Sequence, residues 1–282
     1  MKINVPGKTF LVGEYAVLAG GPALGLATKP CFEISYGGDN AISFHPESPA
    51  GRYLQDHPTF SISMTDPYDI GGFGRSTAEY LAVLGPKLYK TPVGFSTLLQ
   101  EYKSVSSGSG IDLAFQYFGK VCLADQAIGF YQTFDWQFTQ LDFVIVSTGM
   151  KIPTHEHLKN LDKTALQPLV PLADHLTRLF SQGNEAEFLY QLRLWCEQLK
   201  SLKLTHSNSL ELVVALTQAP IQLVKPCGAL GADVLLVFFN VEDKPAVLDL
   251  LAKKNLKVQA GSPDLSEGVA AQLKRHRGQN VG

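Results

Sequence analysis

The stretch Asp69-Ile-Gly-Gly-Phe-Gly-Arg-Ser-Thr-Ala-Glu-Tyr-Leu-Ala-Val-Leu84 concentrates residue types that hold anions. Gly71, Gly72 and Gly74 come first, the hydroxyls of Ser76 and Thr77 follow, and helix-favouring residues complete it. Glycine lets a backbone turn sharply and come close to a ligand, because no Cβ stands in the way. A helix starting behind the loop points unpaired N–H groups and the positive end of its dipole into it. Phosphate is the commonest biological anion held this way. The same residues also read as a plain glycine-rich turn capped by Ser76. Two familiar alternatives are excluded by spacing. Thr77 stands where a dinucleotide fingerprint needs its last glycine, and no glycine-rich loop ends in the Gly-Lys-Ser/Thr of a Walker A motif. Pro6-Gly7-Lys8-Thr9 has that ending, but Lys2 occupies the place of the first glycine.

Three further stretches carry candidate chemistry. Ser106-Ser-Gly-Ser-Gly-Ile-Asp112 places small residues before a helix and Asp112 in its first turn, where the helix dipole favours a carboxylate whatever else it does. Lys225-Pro-Cys-Gly-Ala-Leu-Gly-Ala-Asp233 is a second glycine-bearing loop. His155 and His157 flank Glu156, but residues two apart do not share a helix face, so no metal is assigned there.

These residues need elements to hold them. Lys2 to Leu18 alternates loosely around turns, and Ala23 to Ala27 reads as a strand after Gly20-Gly21-Pro22. Cys31 to Tyr36 and Ala41 to Phe44 suggest a hairpin around Gly37 to Asn40. Residues 45–70 read as a Pro-, Asp- and Ser-rich connection with a strand at Phe60 to Met64. Helices are expected over Ser76 to Leu84, stopped by Gly85-Pro86, then Phe95 to Lys103, and from Asp112 to Gly119. Strands follow at Val121 to Leu123, Ile128 to Phe134 and Phe143 to Ser147. Residues 155–217 read as helical: His155 to Leu161, Leu166 to Gln182, Glu185 to Lys200 and Ser207 to Thr217, with apolar residues recurring at three and four. Val234 to Phe239 is a buried-type strand and Pro245 to Lys253 a helix. Leu273 to Arg277 reads as a solvated helix end.

At 282 residues the chain has room for two ordinary domains. A hydrophobic share of 45%, a charged share of 18% and a net charge of −2 describe a globular protein with no general reason to bind nucleic acid or membrane. Cys31, Cys122, Cys196 and Cys227 lie far apart, which suggests a reduced cytoplasmic protein. No signal peptide is expected, and no apolar run approaches the roughly 20 residues that span a bilayer.

Taken together, four features in fixed order resemble one family. Pro6-Gly7-Lys8 with Gly13-Glu14-Tyr15-Ala16-Val17-Leu18 is similar to the first motif of the kinases grouped around galactokinase, homoserine kinase, mevalonate kinase and phosphomevalonate kinase, the GHMP superfamily. Gly72-Phe-Gly-Arg-Ser-Thr-Ala78 resembles their phosphate loop. Ser109-Gly-Ile-Asp112 resembles the segment carrying their catalytic aspartate, and Lys225 to Asp233 resembles their third motif. Thr148-Gly149 with Thr154 is similar to a segment of the mevalonate-pathway branch. The resemblance implies an α+β fold with an N-terminal domain of the ribosomal-protein-S5 type (1–147) and a C-terminal ferredoxin-like domain (148–282), the active site between them.

It also implies roles. Gly71, Gly72, Phe73, Gly74, Arg75, Ser76 and Thr77 would cradle the phosphates of ATP, and Asp112 would take or orient the proton of the attacking hydroxyl. Lys8 would sit beside Asp112 and ease negative charge in the transition state. Ser76 and Glu101 would hold Mg²⁺, since Glu101 lies eleven residues before Asp112, the family's offset for its metal glutamate; without the resemblance Glu101 reads as a solvated helix residue. Glu14, Tyr15, Ser109, Gly110, Gly228 and Ala229 would border a small-molecule acceptor. The Gly-Glu-Tyr form, Asp233 and Ser-Gly-Ser-Gly-Ile-Asp lean towards phosphomevalonate over mevalonate. Monomer and homodimer both remain open.

Three departures stand out. Arg75 replaces a small residue of the phosphate loop, where it would clasp a phosphate or fill the pocket. Leu230 and Ala232 replace glycines of the third motif. Ala78 and Asp112 are only 34 positions apart, short for this branch. The alternative is a binding-only relative that has lost turnover.

Overall fold

The computed structural model describes residues 1–37, 41–57, 61–68, 71–150, 161–217 and 220–279. Two antiparallel sheets organise them. The first contains β1 (Lys2–Val12), β2 (Ala23–Tyr36), β3 (Ile62–Thr65), β4 (Val121–Asp125) and β5 (Phe130–Phe134), in the order β1-β2-β4-β5. The long β2 pairs with β4 at its start and with β3 at its end. The second sheet has the order β7-β8-β6-β9, from β6 (Leu141–Ser147), β7 (Ile221–Cys227), β8 (Val234–Asn240) and β9 (Val258–Gly261).

Burial follows strand position. β8 and β6 are central and apolar almost throughout, as strands covered on both faces must be. Successive side chains point to opposite faces. Ile145, Leu236 and Phe238 therefore join a large core with Phe188, Leu192 and Trp195, while Val144, Val146, Val237 and Phe239 join a second one. That second core is closed by Leu216, Val247 and Leu251.

Among the described residues the α-helices are α1 (Pro49–Asp56), α2 (Arg75–Lys90), α3 (Phe95–Val105), α4 (Ile111–Phe118), α5 (Leu169–Ser181), α6 (Glu185–Ser201), α7 (Ser207–Leu216), α8 (Lys244–Lys253) and α9 (Val269–Gln279). The expected helix over 155–161 falls almost wholly outside the described residues, as do Thr154 and the turn at 38–40.

Several expectations are revised. Residues 41–44 form no strand; the end of β2 pairs with β3 instead. α1 occupies part of the stretch read as a connection, with Ser48 Oγ accepting from Gly51 N at 3.0 Å and Pro49 at its first turn. β7 and β9 were not anticipated. β6, expected to close the first domain, is a central strand of the second sheet. α9 returns to the first sheet, where Asn4 N donates to Gln272 Oε1 at 3.0 Å. The large core draws residues from both sides of 147/148.

α2 also runs through Gly85-Pro86 instead of stopping there. Proline offers no N–H to the carbonyl four residues before it. That carbonyl belongs to Ala82, and Tyr36 Oη, at the end of β2, donates to it at 2.7 Å. A tertiary bond replaces the one the helix lost.

Candidate active site

β1 brings Lys8 inward through an irregularity. Lys2 and Asn4 are exposed while Ile3 and Val5 are buried, the pattern of a half-covered strand. The register against β2 shifts between Pro6 and Gly7, a bulge of the kind that re-aims side chains. After it Lys8 is buried and pairs with Ala27. Tyr68 lies against Gly7, where a Cβ would come within 2.1 Å of its hydroxyl. The same ring stacks on Phe73 with centroids 3.9 Å apart and planes 7° off parallel. Lys8 N donates to Phe73 O at 3.0 Å, so strand and glycine loop are bonded directly.

The loop then turns into α2. Gly72 and Gly74 have φ of 107° and 82°, the left-handed region that other residues adopt only with strain. Space forbids a side chain as well. A Cβ on Gly74 would stand 2.7 Å from Lys8 Cγ, and one on Gly72 would stand 2.6 Å from Asp233 Cβ. Gly74 caps α2 without a side-chain hydrogen bond, so the first amides of the helix are left to a ligand or water.

α4 begins in the same way, with Gly110 at φ 78° as its cap and Asp112 in its first turn. Asp112 Oδ2 lies 3.0 Å from Lys8 Nζ. Oδ1 is shielded from water and takes no hydrogen bond from the described residues. Lys8 Nζ also sits 5.1 Å from the centroid of the Phe10 ring, a cation–π placement.

Gln116, one turn beyond Asp112, ties these pieces together. It is wholly buried, and its amide nitrogen donates to Pro6 O at 3.0 Å and Gly74 O at 3.2 Å. Its amide oxygen accepts from Thr77 Oγ1 at 2.5 Å. Gln116 was not singled out from the sequence. A polar residue four positions after Asp112, in an otherwise apolar helix, was the available signal.

The remaining expected residues fall into two groups. Gly71 opens the loop half-exposed, Ser76 is exposed at the head of α2, and Gly228 packs against the side chain of Asp233, the residue that also borders Gly72. Ser109 Oγ accepts from Ile111 N at 3.3 Å at the turn before Asp112. These sit at the heads of α2 and α4, where the Lys8–Asp112 couple lies, or beside Asp233.

The others do not present their side chains to it. Phe73 is buried against Tyr68, so only its backbone borders the loop. The Thr77 hydroxyl is used by Gln116 and by Gly74 O, at 2.9 Å. Arg75 turns along the surface to Glu79 Oε1 at 2.9 Å and Asp66 Oδ2 at 3.2 Å, and its bond to Glu79 raises its already high pKa. Glu14 is buried and accepts from Lys225. Tyr15 is buried with its hydroxyl accepting from Leu230 N at 2.9 Å; loss of hydration pushes its pKa up to about 12. Ala229 is buried. Burial of the first-motif side chains follows from their place at the seam between the sheets, which the sequence pattern does not encode.

The fit to a nucleotide can be tested on this geometry. A phosphate suits the uncapped head of α2 and a cradle in which only glycine fits. The magnesium pair is different. Ser76 offers an exposed hydroxyl, but the Glu101 carboxylate accepts from Lys87 Nζ. Lys87 lies eleven residues beyond Ser76, about 16 Å along a helix rising ~1.5 Å per residue. Glu101 is thus tied to Lys87 through Oε1, while its buried Oε2 takes no hydrogen bond from the described residues; the hydroxyl at the head of α2 itself is that of Ser76. Among the described residues no group of three or more His, Cys, Asp or Glu could hold a metal. No described helix is long and apolar enough to cross a membrane.

The arrangement can seat an anion at one helix head and place beside it a partly exposed carboxylate paired with a lysine. No protein-family model matches the sequence, and no curated protein matches it. Solved structures do. The Streptococcus pneumoniae phosphomevalonate kinase in complex with phosphomevalonate and AMPPNP aligns at a TM-score of 0.71 and 17% identity, over 93% of this chain and 99% of that one. The Methanococcus jannaschii mevalonate kinase gives 0.65 and 16%, over 93% and 97%. The Lactococcus lactis galactokinase complexed with galactose gives 0.69 and 12%, over 95% and 94%. At these identities the likeness is one of backbone architecture, and by it this chain has the fold of the GHMP kinases, mevalonate-pathway kinases among them.

Proposed function

We propose that the protein is a phosphotransferase that moves the γ-phosphate of ATP to a mevalonate-type acceptor, phosphomevalonate in preference to mevalonate. One observation carries the reading: Lys8 and Asp112, 104 positions apart in the chain, meet at 3.0 Å beside the glycine cradle of α2. In this reading the first amides of α2 and the backbone of residues 72–74 hold phosphate oxygens. The Asp112 carboxylate takes the proton of the acceptor hydroxyl, and the Lys8 ammonium offsets charge gathering on the transferring group. Magnesium would enter with the nucleotide, bound by phosphate oxygens and the Ser76 hydroxyl, and would neutralise phosphate charge. Glu101 has no part in it.

The lean towards phosphomevalonate rests on the Gly13-Glu14-Tyr15 form, on Ser107-Gly108-Ser109 and on Asp233, which borders both glycine loops. Retention of the couple argues against a binding-only relative, since a sensor needs no proton acceptor. The test is ADP release from Mg·ATP with mevalonate 5-phosphate, mevalonate, galactose or homoserine. The reading expects release with a mevalonate-type acceptor, fastest with the 5-phosphate. Background release with all four would favour the binding-only alternative.

A further inference from the structure

Phe10 stands two residues beyond Lys8 on β1 and links the couple to the second sheet. Its ring faces the Lys8 ammonium at 5.1 Å and meets Phe115 edge-on, centroids 5.1 Å apart. Phe115 lies three residues past Asp112 on α4. The Phe10 carbonyl is claimed from the second sheet, by Lys225 Nζ at 3.4 Å and Cys227 Sγ at 3.4 Å. Lys225 has no exposed surface, and its ammonium also donates to Glu14 and to Cys227 Sγ at 3.3 Å. Burial opposes its charge, yet Cys227 and Glu14 outweigh that and hold its pKa above the ordinary lysine range.

A desolvated ion pair is poor evidence for stability, because apolar residues of similar volume often serve a fold as well or better. The directional bond to the Phe10 carbonyl is what an apolar pair could not supply. We propose that Lys225 is a positioning residue for phosphoryl transfer. It acts through the Phe10 carbonyl, fixing the ring against which the Lys8 ammonium is set beside Asp112. The inference rests on the kinase reading of the cleft and deepens it: the third motif's lysine serves the first motif's lysine without touching substrate.

The test uses K225M/E14L, which removes both charges together and orphans neither, alongside F10L and the charge-conserving K225R. Denaturant midpoint, kcat and KM for Mg·ATP are measured with mevalonate 5-phosphate, or with mevalonate if the wild type prefers it. K225M/E14L is expected to keep the wild-type midpoint or exceed it while kcat falls about 10²-fold, the scale of an ångström's misplacement. KM for ATP should hold within about twofold, since uniform binding is untouched. F10L should reproduce the fall in kcat, and K225R should recover part of it. A folded K225M/E14L with wild-type kcat overturns the proposal. So does wild-type kcat in F10L, which decides the matter if the double variant does not fold.

A readout free of turnover separates this inference from the kinase reading. The Phe10 ring should displace the Lys8 ε-methylene proton resonance, and that displacement should shrink in K225M/E14L. An unchanged resonance contradicts the positioning role. Absence of ADP release from the wild type, with the resonance behaving as expected, would instead remove the kinase reading and leave the linkage of Lys225 to Lys8 standing.

Discussion

The side-chain amide of Gln116, in α4, donates to the carbonyl of Gly74, at the head of α2. The helix bearing the proposed proton acceptor is thereby bonded to the loop bearing the proposed phosphate cradle. The same amide holds the carbonyl of Pro6 at the bulge before Lys8. Three segments far apart in sequence meet on one buried side chain.

Gln116→Leu should accordingly cost both stability and turnover. Leu fills similar space but takes the amide donor away from the Pro6 and Gly74 carbonyls, while the Thr77 hydroxyl keeps Gly74 O. Leaving a buried polar group unsatisfied costs about 1–3 kcal/mol. Urea unfolding should show the loss as a lower midpoint with an unchanged slope. Wild-type stability would mean these groups find other partners.

Tyr36 offers a cleaner test of how α2 survives Pro86. Tyr36→Phe removes one hydroxyl and strands the Ala82 carbonyl inside the helix. A loss of about 1–3 kcal/mol is expected on the same reasoning. The variant should keep kcat, because the Ala82 turn lies well down the helix from Ser76. Unchanged stability would show that water serves that carbonyl instead.

Tyr15 sets an alkaline limit. Its pKa is pushed up to about 12, first by burial, whereas an unfolded tyrosine titrates near 10. The folded state thus holds its proton more tightly, and the stability this represents is complete below pH ~10 and lost as pH climbs towards 12. Two pH units correspond to roughly 2.7 kcal/mol. The difference in unfolding free energy between wild type and Tyr15→Phe should be constant from pH 7 to 9 and then shift against the wild type. A difference that stays flat to pH 12 would place the phenol in contact with solvent.

Local chemistry was legible in the sequence, and distant chemistry was not. The glycine loop, Lys8 and Asp112 could be read because a glycine run before a helix, or a carboxylate in its first turn, has meaning within ten residues. The partners of Gln116 and Lys225 could not, since they lie 110 and 211 positions away. Pro86 misled for the same reason: the hydroxyl that rescues the helix belongs to Tyr36, 46 positions before the Ala82 carbonyl it serves. Glu101 stands at a meaningful offset from Asp112, but offset along a chain does not disclose that Lys87 already holds the carboxylate. α1 is a different case. Ser48-Pro49 is a start signal readable without a structure, and the proline-rich stretch around it masked the helix.

The central claim is that the Lys8–Asp112 couple handles the acceptor's proton at the head of α2, and Asp112→Asn tests it most directly. Asn keeps the shape and the bond-accepting oxygen but cannot take a proton. Turnover and nucleotide affinity should be measured together on this variant, by ADP release and by titration with Mg·AMPPNP. The account predicts kcat lower by about 10²–10⁴-fold, the usual worth of a positioned general base, with nucleotide affinity essentially unchanged. Wild-type turnover in Asp112→Asn would contradict it.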